Sequence, residues 1–162
     1  MCEIKKTTVI LSSVIQMPDT IQRNGHRTAY NAELIDGEKE IDKLRIVYPE
    51  KQILNVSGNC DYNSFTPDSD LYNAGRVKIF YTHGHRFRVK YDLDDLYDKG
   101  RSLGAQVILF GHTHERFYKY YRGVHMLNPG SAAQPRDGQP PSYAFVDITP
   151  SGILCCHVDL VD

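Results

Sequence analysis

The chain carries seven histidines, and four of them fall in two His-x-His pairs, His83/His85 and His112/His114. An imidazole offers one nitrogen lone pair to a metal ion, and a two-residue spacing lets both rings face one side of a short extended segment. Each pair follows an apolar run. Val77-Lys78-Ile79-Phe80-Tyr81 leads into Thr82-His83-Gly84-His85, and Gln106-Val107-Ile108-Leu109-Phe110 leads into Gly111-His112-Thr113-His114. Two further apolar runs end in oxygen donors: Leu34-Ile35 at Asp36-Gly37, and Ile53-Leu54-Asn55-Val56 at Ser57-Gly58-Asn59-Cys60-Asp61. Carboxylate, amide oxygen and imidazole together suit a borderline divalent cation, Mn, Fe, Ni or Zn rather than Ca. Taken singly, a strand-end His or an Asp-Gly turn is ordinary structure. The repetition at four equivalent strand ends is what predicts a metal site with Asp36, Asn59, His83, His112 and His114 as candidate ligands.

The elements that must position these residues are legible in part. Thr7–Ser12, Gln52–Val56, Val77–Tyr81 and Gln106–Phe110 read as strands. Glu38–Val47 reads as a helix with Ile41, Leu44 and Val47 on one face, stopped by Pro49. Asp92–Leu103 reads as a second, with Leu93, Leu96, Tyr97, Gly100 and Leu103 on its apolar face and Gly104 at its C-terminal cap. Residues 61–76 read as a polar loop. The last third reads as hairpins over 116–121, 125–127, 142–148 and 152–161, with Asn128-Pro129-Gly130-Ser131 and Asp137-Gly138 as turns. Strands alternating with helices and then following one another predict a layered α/β fold. In such sheets, ligands sit outside the carboxyl ends of the strands, so the four donor-bearing loops can converge.

Composition narrows the remaining classes. At 162 residues and 41% hydrophobic content, the chain reads as a single domain over 1–162 with enough apolar material for a core. Nineteen Lys and Arg balance twenty Asp and Glu, which disfavours a coat for nucleic acid or an anionic membrane. No apolar run is long enough to span a bilayer, and the first thirty residues lack a signal-peptide layout. The four cysteines (Cys2, Cys60, Cys155, Cys156) form no C-x-x-C pair, so reduced thiols in a cytoplasmic protein are expected and a zinc finger is not.

In this order, Gly58-Asn59-Cys60-Asp61, Thr82-His83-Gly84-His85, Gly111-His112-Thr113-His114 and Asn128-Pro129-Gly130-Ser131 resemble the calcineurin-like metallophosphoesterases. The small YfcE-like phosphodiesterases are the nearer match, over about residues 32–148. The resemblance implies a four-layer α-β-β-α sandwich with two mixed sheets and a two-metal site at the sheet edge. Asp36 would be the bridging carboxylate. Asn59, His83 and His112 would complete one metal, and His114 would belong to the other. The family's opening Asp-x-His is absent: Ser13 and Ile15 stand where those ligands are expected, and Ile35 where a glycine is usual. A shifted reading frame over the first thirty residues would give the same departure, which the coding DNA can exclude.

The expected activity is therefore hydrolysis of a small phosphate ester, a phosphodiester first, at a one-metal or weakened two-metal site, with Mn the favoured ion and Ni, Fe or Zn the others. His85 is the candidate for contact with the substrate phosphate or proton transfer to the leaving group. The competing expectation is a scaffold that kept the fold and lost the chemistry. Arg76, Lys78, Arg86, Arg88 and Lys90 form an acid-free basic run, and Arg116, Lys119 and Arg122 alternate with aromatics that are expected to pack inward. Nucleic acid is a disfavoured partner, no membrane partner is expected, and a homo-oligomer is left open.

Overall fold

The computed structural model describes residues 7–11, 37–61 and 64–160. Asp36, and the departures at Ser13, Ile15 and Ile35, lie outside them. The elements run β1 (Thr7–Leu11), α1 (Gly37–Val47), β2 (Ser69–Ala74), β3 (Val77–Thr82), α2 (Asp94–Ser102), β4 (Val107–Phe110), β5 (Arg116–Tyr121), β6 (Val124–Pro129), β7 (Ser142–Thr149) and β8 (Gly152–Asp159). A short 3-10 turn, His85–Phe87, follows β3.

Two sheets form. The larger is mixed and five-stranded, in the order β2-β3-β4-β6-β5, with β3, β4 and β6 parallel and both edge strands antiparallel to their neighbours. The smaller, β1-β7-β8, is antiparallel throughout its described strands. Antiparallel pairing is what short hairpin connections such as Pro150-Ser151 permit.

Period-two alternation along β3, β4 and β6 splits their side chains between two cores. Ile79, Tyr81, Val107, Leu109 and Leu127 pack with Ala144, Val146 and Ile148 of the second sheet. Phe80, Ile108, Phe110 and Met126 pack with Leu96 and Tyr97 of α2. Helix, sheet and sheet are thus stacked with the parallel strands buried on both faces, as their unbroken apolar runs require. No helix among the described residues is long and apolar enough to cross a membrane.

The helix α2 matches its periodicity: Leu96, Tyr97 and Gly100 are buried, and Leu93 and Leu103 pack partly against the core. Acids Asp94 and Asp95 open it and Lys99 and Arg101 close it, in the sense its dipole favours. Gly100 sets how closely α2 approaches β4. A Cβ there would lie 2.6 Å from Ile108 Cγ1 in a fully buried setting. Gly100→Ala is therefore expected to cost about 1–2 kcal/mol after its gain in helix propensity. Urea unfolding measures this, and an unchanged midpoint would contradict such close packing.

Three expectations are corrected. Gln52–Val56 forms neither strand nor helix, although Ile53 and Val56 are buried. The Ile53 carbonyl accepts from Arg45 Nη2 at 3.3 Å, so burial there comes without a ladder. Ser69–Ala74, read as loop, is an edge strand: its polar residues face solvent, and β3 supplies the pairing that its own composition does not announce. Of the face expected on α1, Ile41 is fully buried but Val47 is exposed at the frayed end, and the Leu44 side chain is outside the described set.

Candidate functional site

Parallel pairing brings the histidine loops together. Thr82 and Phe110, the last residues of β3 and β4, are in register, so the chain leaves both strands at one level. The Gly111 N–H donates to the His83 carbonyl at 3.0 Å, which ties the two loops directly. The rings of His83 and His112 lie 4.8 Å apart, those of His83 and His85 also 4.8 Å, and those of His85 and His112 6.2 Å.

This convergence does not arise from extended backbone, as the His-x-His spacing suggests. His85 begins the 3-10 turn, and Gly84 before it has φ 106° with Val89 packed against it; an added Cβ would stand 3.0 Å from Val89 Cγ2. His112 and His114 both adopt the left-handed conformation, with φ 71° and 61°. Such backbone costs a non-glycine residue about 1 kcal/mol or more and persists where surrounding structure holds it.

The holder here is Asn128, a residue that reads in the sequence as part of a turn. It lies within β6, fully buried. Its Nδ2 donates to the Gly111 carbonyl at 3.1 Å and to Thr113 Oγ1 at 3.0 Å, and its Oδ1 accepts from the Gly130 N–H at 3.1 Å. His157 Nε2 donates to the Asn128 carbonyl at 2.7 Å. The sequence signal was Asn-Pro-Gly-Ser standing after an apolar strand, the same placement as the metal-ligand candidates. Asn128→Ala removes three hydrogen bonds among buried atoms and is expected to cost about 2–4 kcal/mol, read as a lower thermal midpoint. A change below about 0.5 kcal/mol would show that the loop holds itself.

The protonation states follow from burial and neighbours. Burial first, then the adjacent histidines and Lys90, pushes His83 down to about 3. Burial and Lys90, with help from His85, His114 and Arg136, bring His112 to about 4. His85 is lowered by burial and Arg86 against an opposing pull from Asp68. His114 is lowered by burial, with its bond to Gln134 opposing and Arg136 and Lys90 reinforcing. All four are neutral at pH 7, the state in which imidazole has a lone pair to give. The His114 tautomer is then fixed, and those of His83 and His85 are tied to each other. His114 Nδ1 lies 3.1 Å from the Gln134 carbonyl, which can only accept, so His114 keeps Nε2 unprotonated. His83 Nδ1 and His85 Nδ1 lie 2.7 Å apart, so one ring donates through Nδ1 and keeps a bare Nε2, while the other carries Nε2–H.

Asn59 sits on an exposed loop, its amide 3.4 Å from Cys60 Sγ. Asp61 closes that loop, accepting from the Gly58 N–H at 2.6 Å. The loop approaches the histidines through residues 67–68: Ser57 N–H donates to the Pro67 carbonyl and His83 N–H to the Asp68 carbonyl. Among the described residues, no three His, Cys, Asp or Glu side chains are arranged to hold a metal ion. The donors fit a divalent cation in chemistry and protonation, as part of a set. The carboxylate expected to join them, Asp36, is outside the described residues.

The basic and aromatic strand β5 departs from expectation. Tyr118, Tyr120 and Tyr121 are exposed, Tyr120 by 60%, rather than packed inward. Phe117 does pack inward, against Phe110, and Tyr121 keeps one ring contact, with Tyr97 of α2 at 5.2 Å.

A sequence model of the calcineurin-like phosphoesterase superfamily domain matches residues 33–151. The chain belongs to that superfamily. It is 42% identical over 93 residues to the probable metallophosphoesterase YsnB of Bacillus subtilis, 57% of this chain and 55% of that protein. The chain spans about half the length of the curated relatives it matches. Among solved structures, a conserved Streptococcus pneumoniae protein predicted to be a phosphoesterase superposes with TM-score 0.73 at 23% identity, over 96% of this chain and 91% of that one. Vps29 of Entamoeba histolytica complexed with Zn2+ superposes with TM-score 0.67 at 21% identity, over 94% and 99%. These structural likenesses show the fold.

Proposed function

We propose that the chain is a metal-dependent phosphoesterase that hydrolyses phosphodiesters. His83, His112 and His114, with Asp36 and Asn59, would hold one divalent cation or a weakened pair, Mn first among candidates. The supporting observation is the meeting of His83 and His112, neutral and with rings 4.8 Å apart, at the level ends of two parallel strands. When bound, a divalent cation polarises phosphoryl oxygens and lowers the pKa of a coordinated water toward ~7. The protein supplies the rest. His114 presents Nε2 because Gln134 holds Nδ1–H. In the His83–His85 pair, the more deeply buried His83 is the ligand, donating through Nδ1, and His85 keeps Nε2–H. Neutral His85 then acts as a hydrogen-bond donor to a phosphoryl or leaving-group oxygen rather than as an imidazolium acid. A single domain over 1–162, a four-layer sandwich, a small phosphate-ester substrate and a cytoplasmic setting complete this reading.

Protein purified without metal, then titrated with Mn, is expected to gain at least about 100-fold in turnover of bis(p-nitrophenyl) phosphate. Absence of both bound metal and stimulation would overturn the assignment. Ser13→Asp combined with Ile15→His is expected to raise turnover about tenfold or more by supplying the two ligands the family resemblance places there. No gain would remove those positions from the site. The second reading, a scaffold without hydrolysis, is favoured by Ser13 and Ile15 themselves and is compatible with a fold shared with Vps29. It predicts metal binding without turnover.

A further inference from the structure

The two outer strands of the five-stranded sheet treat their free edges differently. On β2, Asp70 Oδ1 accepts the Leu71 N–H at 2.7 Å, so the strand's own side chain blunts its edge. On β5, Tyr121 and Val124 flank the two-residue turn Arg122-Gly123, whose φ values are 47° and 85°. Residues that flank such a turn exchange both main-chain hydrogen bonds. Counting back by twos, Lys119 and Phe117 also bond to β6, and the N–H and C=O groups of Tyr120, Tyr118 and Arg116 point away from the sheet. The Arg116 N–H is taken by Asp137 Oδ2 at 2.8 Å, and Pro129 opposite it has no N–H to give. The main-chain groups of Tyr118 and Tyr120 have no partner among the described residues.

The side chains beside this open ladder are held in place. Tyr118 Oη lies 3.0 Å from His125 Nδ1, and the Tyr120 ring lies 4.6 Å from the same imidazole. Lys119 and Tyr121 share the opposite face. There Lys119 Nζ and the Arg122 guanidinium each lie 5.0 Å from the centre of the Tyr121 ring. Lys119 thus lies along its own strand and does not bar the edge, which is the usual service of an edge lysine. Residues 116–130 contain no Asp or Glu. Arg116 is paired with Asp159, while Lys119 and Arg122 have no carboxylate partner among the described residues. An unbulged, proline-free aromatic strand with an open edge is a template for a further strand, and its charge is positive.

We propose that β5 is a docking edge for an extended acidic segment of another protein, which joins the five-stranded sheet as a further, antiparallel strand. Main-chain groups of Tyr118 and Tyr120 supply the ladder. Apolar residues of the segment cover the Tyr118 and Tyr120 rings, and acids at the alternate positions meet Lys119 and Arg122. Rings already pinned by His125 lose little freedom on binding. Charge favours this occupant over a second copy of the chain. A two-fold that pairs Tyr118 with Tyr120 of the other copy sets Lys119 against Lys119 and Arg116 against Arg122, like charges directly opposite. Outward N–H and C=O groups in alternation favour it over a nucleic-acid strand, which has no matching ladder to offer. The docking edge stands independently of the phosphoesterase reading.

The test is fluorescence anisotropy of a labelled peptide, Ser-Ile-Glu-Val-Asp-Val-Ser, titrated with the full chain at about 25 mM salt to limit screening. A dissociation constant of about 100 μM or tighter is expected. Replacing the two acids of the peptide by lysine is expected to weaken binding at least about tenfold, and Lys119→Glu with Arg122→Glu to reverse that preference. N-methylation of the apolar residues, whose amides face β5 in an antiparallel pair, is expected to abolish binding, whereas N-methylation of the two acids is tolerated. No saturable binding below about 1 mM overturns the docking edge, as does a preference that survives in the double variant. Binding indifferent to N-methylation of the apolar residues overturns it too, since charge alone would then hold the peptide. Displacement of the peptide by an equimolar thymidine oligonucleotide makes the strand a nucleic-acid surface instead. A dimer in sedimentation that the double variant strengthens makes it an interface between copies. Matching thermal midpoints establish that the variant is folded.

Discussion

His112→Gly is expected to lower Mn-dependent turnover of bis(p-nitrophenyl) phosphate by at least about 100-fold while leaving the thermal midpoint unchanged or higher. The two halves of this result have separate causes. His112 has φ 71°, a conformation glycine adopts freely and histidine does not. Glycine relieves about 1 kcal/mol of that cost, offset in part by the greater freedom of the unfolded chain. The lost imidazole is the one that faces His83 across 4.8 Å and completes the pair held at the ends of β3 and β4. A dead but equally stable variant would show strain retained for chemistry. Turnover within about threefold of the parent would remove His112 from the proposed ligand set.

A second large effect is expected in acid. His83 is held near 3 and His112 near 4 in the folded chain, chiefly by burial and then by neighbouring positive charge. In the unfolded chain both return to about 6.5. Above that pH neither state binds these protons and stability is independent of them. As pH falls below 6.5 the unfolded chain takes up protons that the folded chain refuses, so stability declines, and it levels off once pH passes the folded values. For His83 the loss amounts to about 5 kcal/mol at the acid limit. The more exposed His112 adds less because solvent screens it. Urea midpoints between pH 7 and 4 measure the slope, and His83→Asn should flatten it. A parent whose stability holds constant over that window would contradict a buried neutral His83.

Much of the framework is readable from local pattern. The strands β3 and β4 carry unbroken apolar runs because both faces are covered, and the apolar stripe of α2 gives its period directly. The hairpins β5–β6 and β7–β8 follow from alternating segments separated by short turns. Where context decides, pattern fails. The edge strand β2 is polar and exists because β3 pairs with it, whereas Gln52–Val56 buries Ile53 and Val56 without forming a strand. The exposed tyrosines of β5 reflect its place at the sheet's edge, which no periodicity encodes.

For the site, residue types and their positions after apolar strands are sequence properties, and they are what makes His83, His85, His112 and His114 candidates. The meeting of the His83, His85 and His112 rings is tertiary. It depends on β3 and β4 being parallel neighbours in register, on left-handed backbone at His112 and His114, and on a buried Asn128 that holds the intervening loop. Spacing along a chain reports only what neighbours in sequence can do, whereas these contacts join segments separated by a helix and a strand. The lowered proton affinities of His83 and His112 belong to the same level, because burial exists only once the sheets have packed.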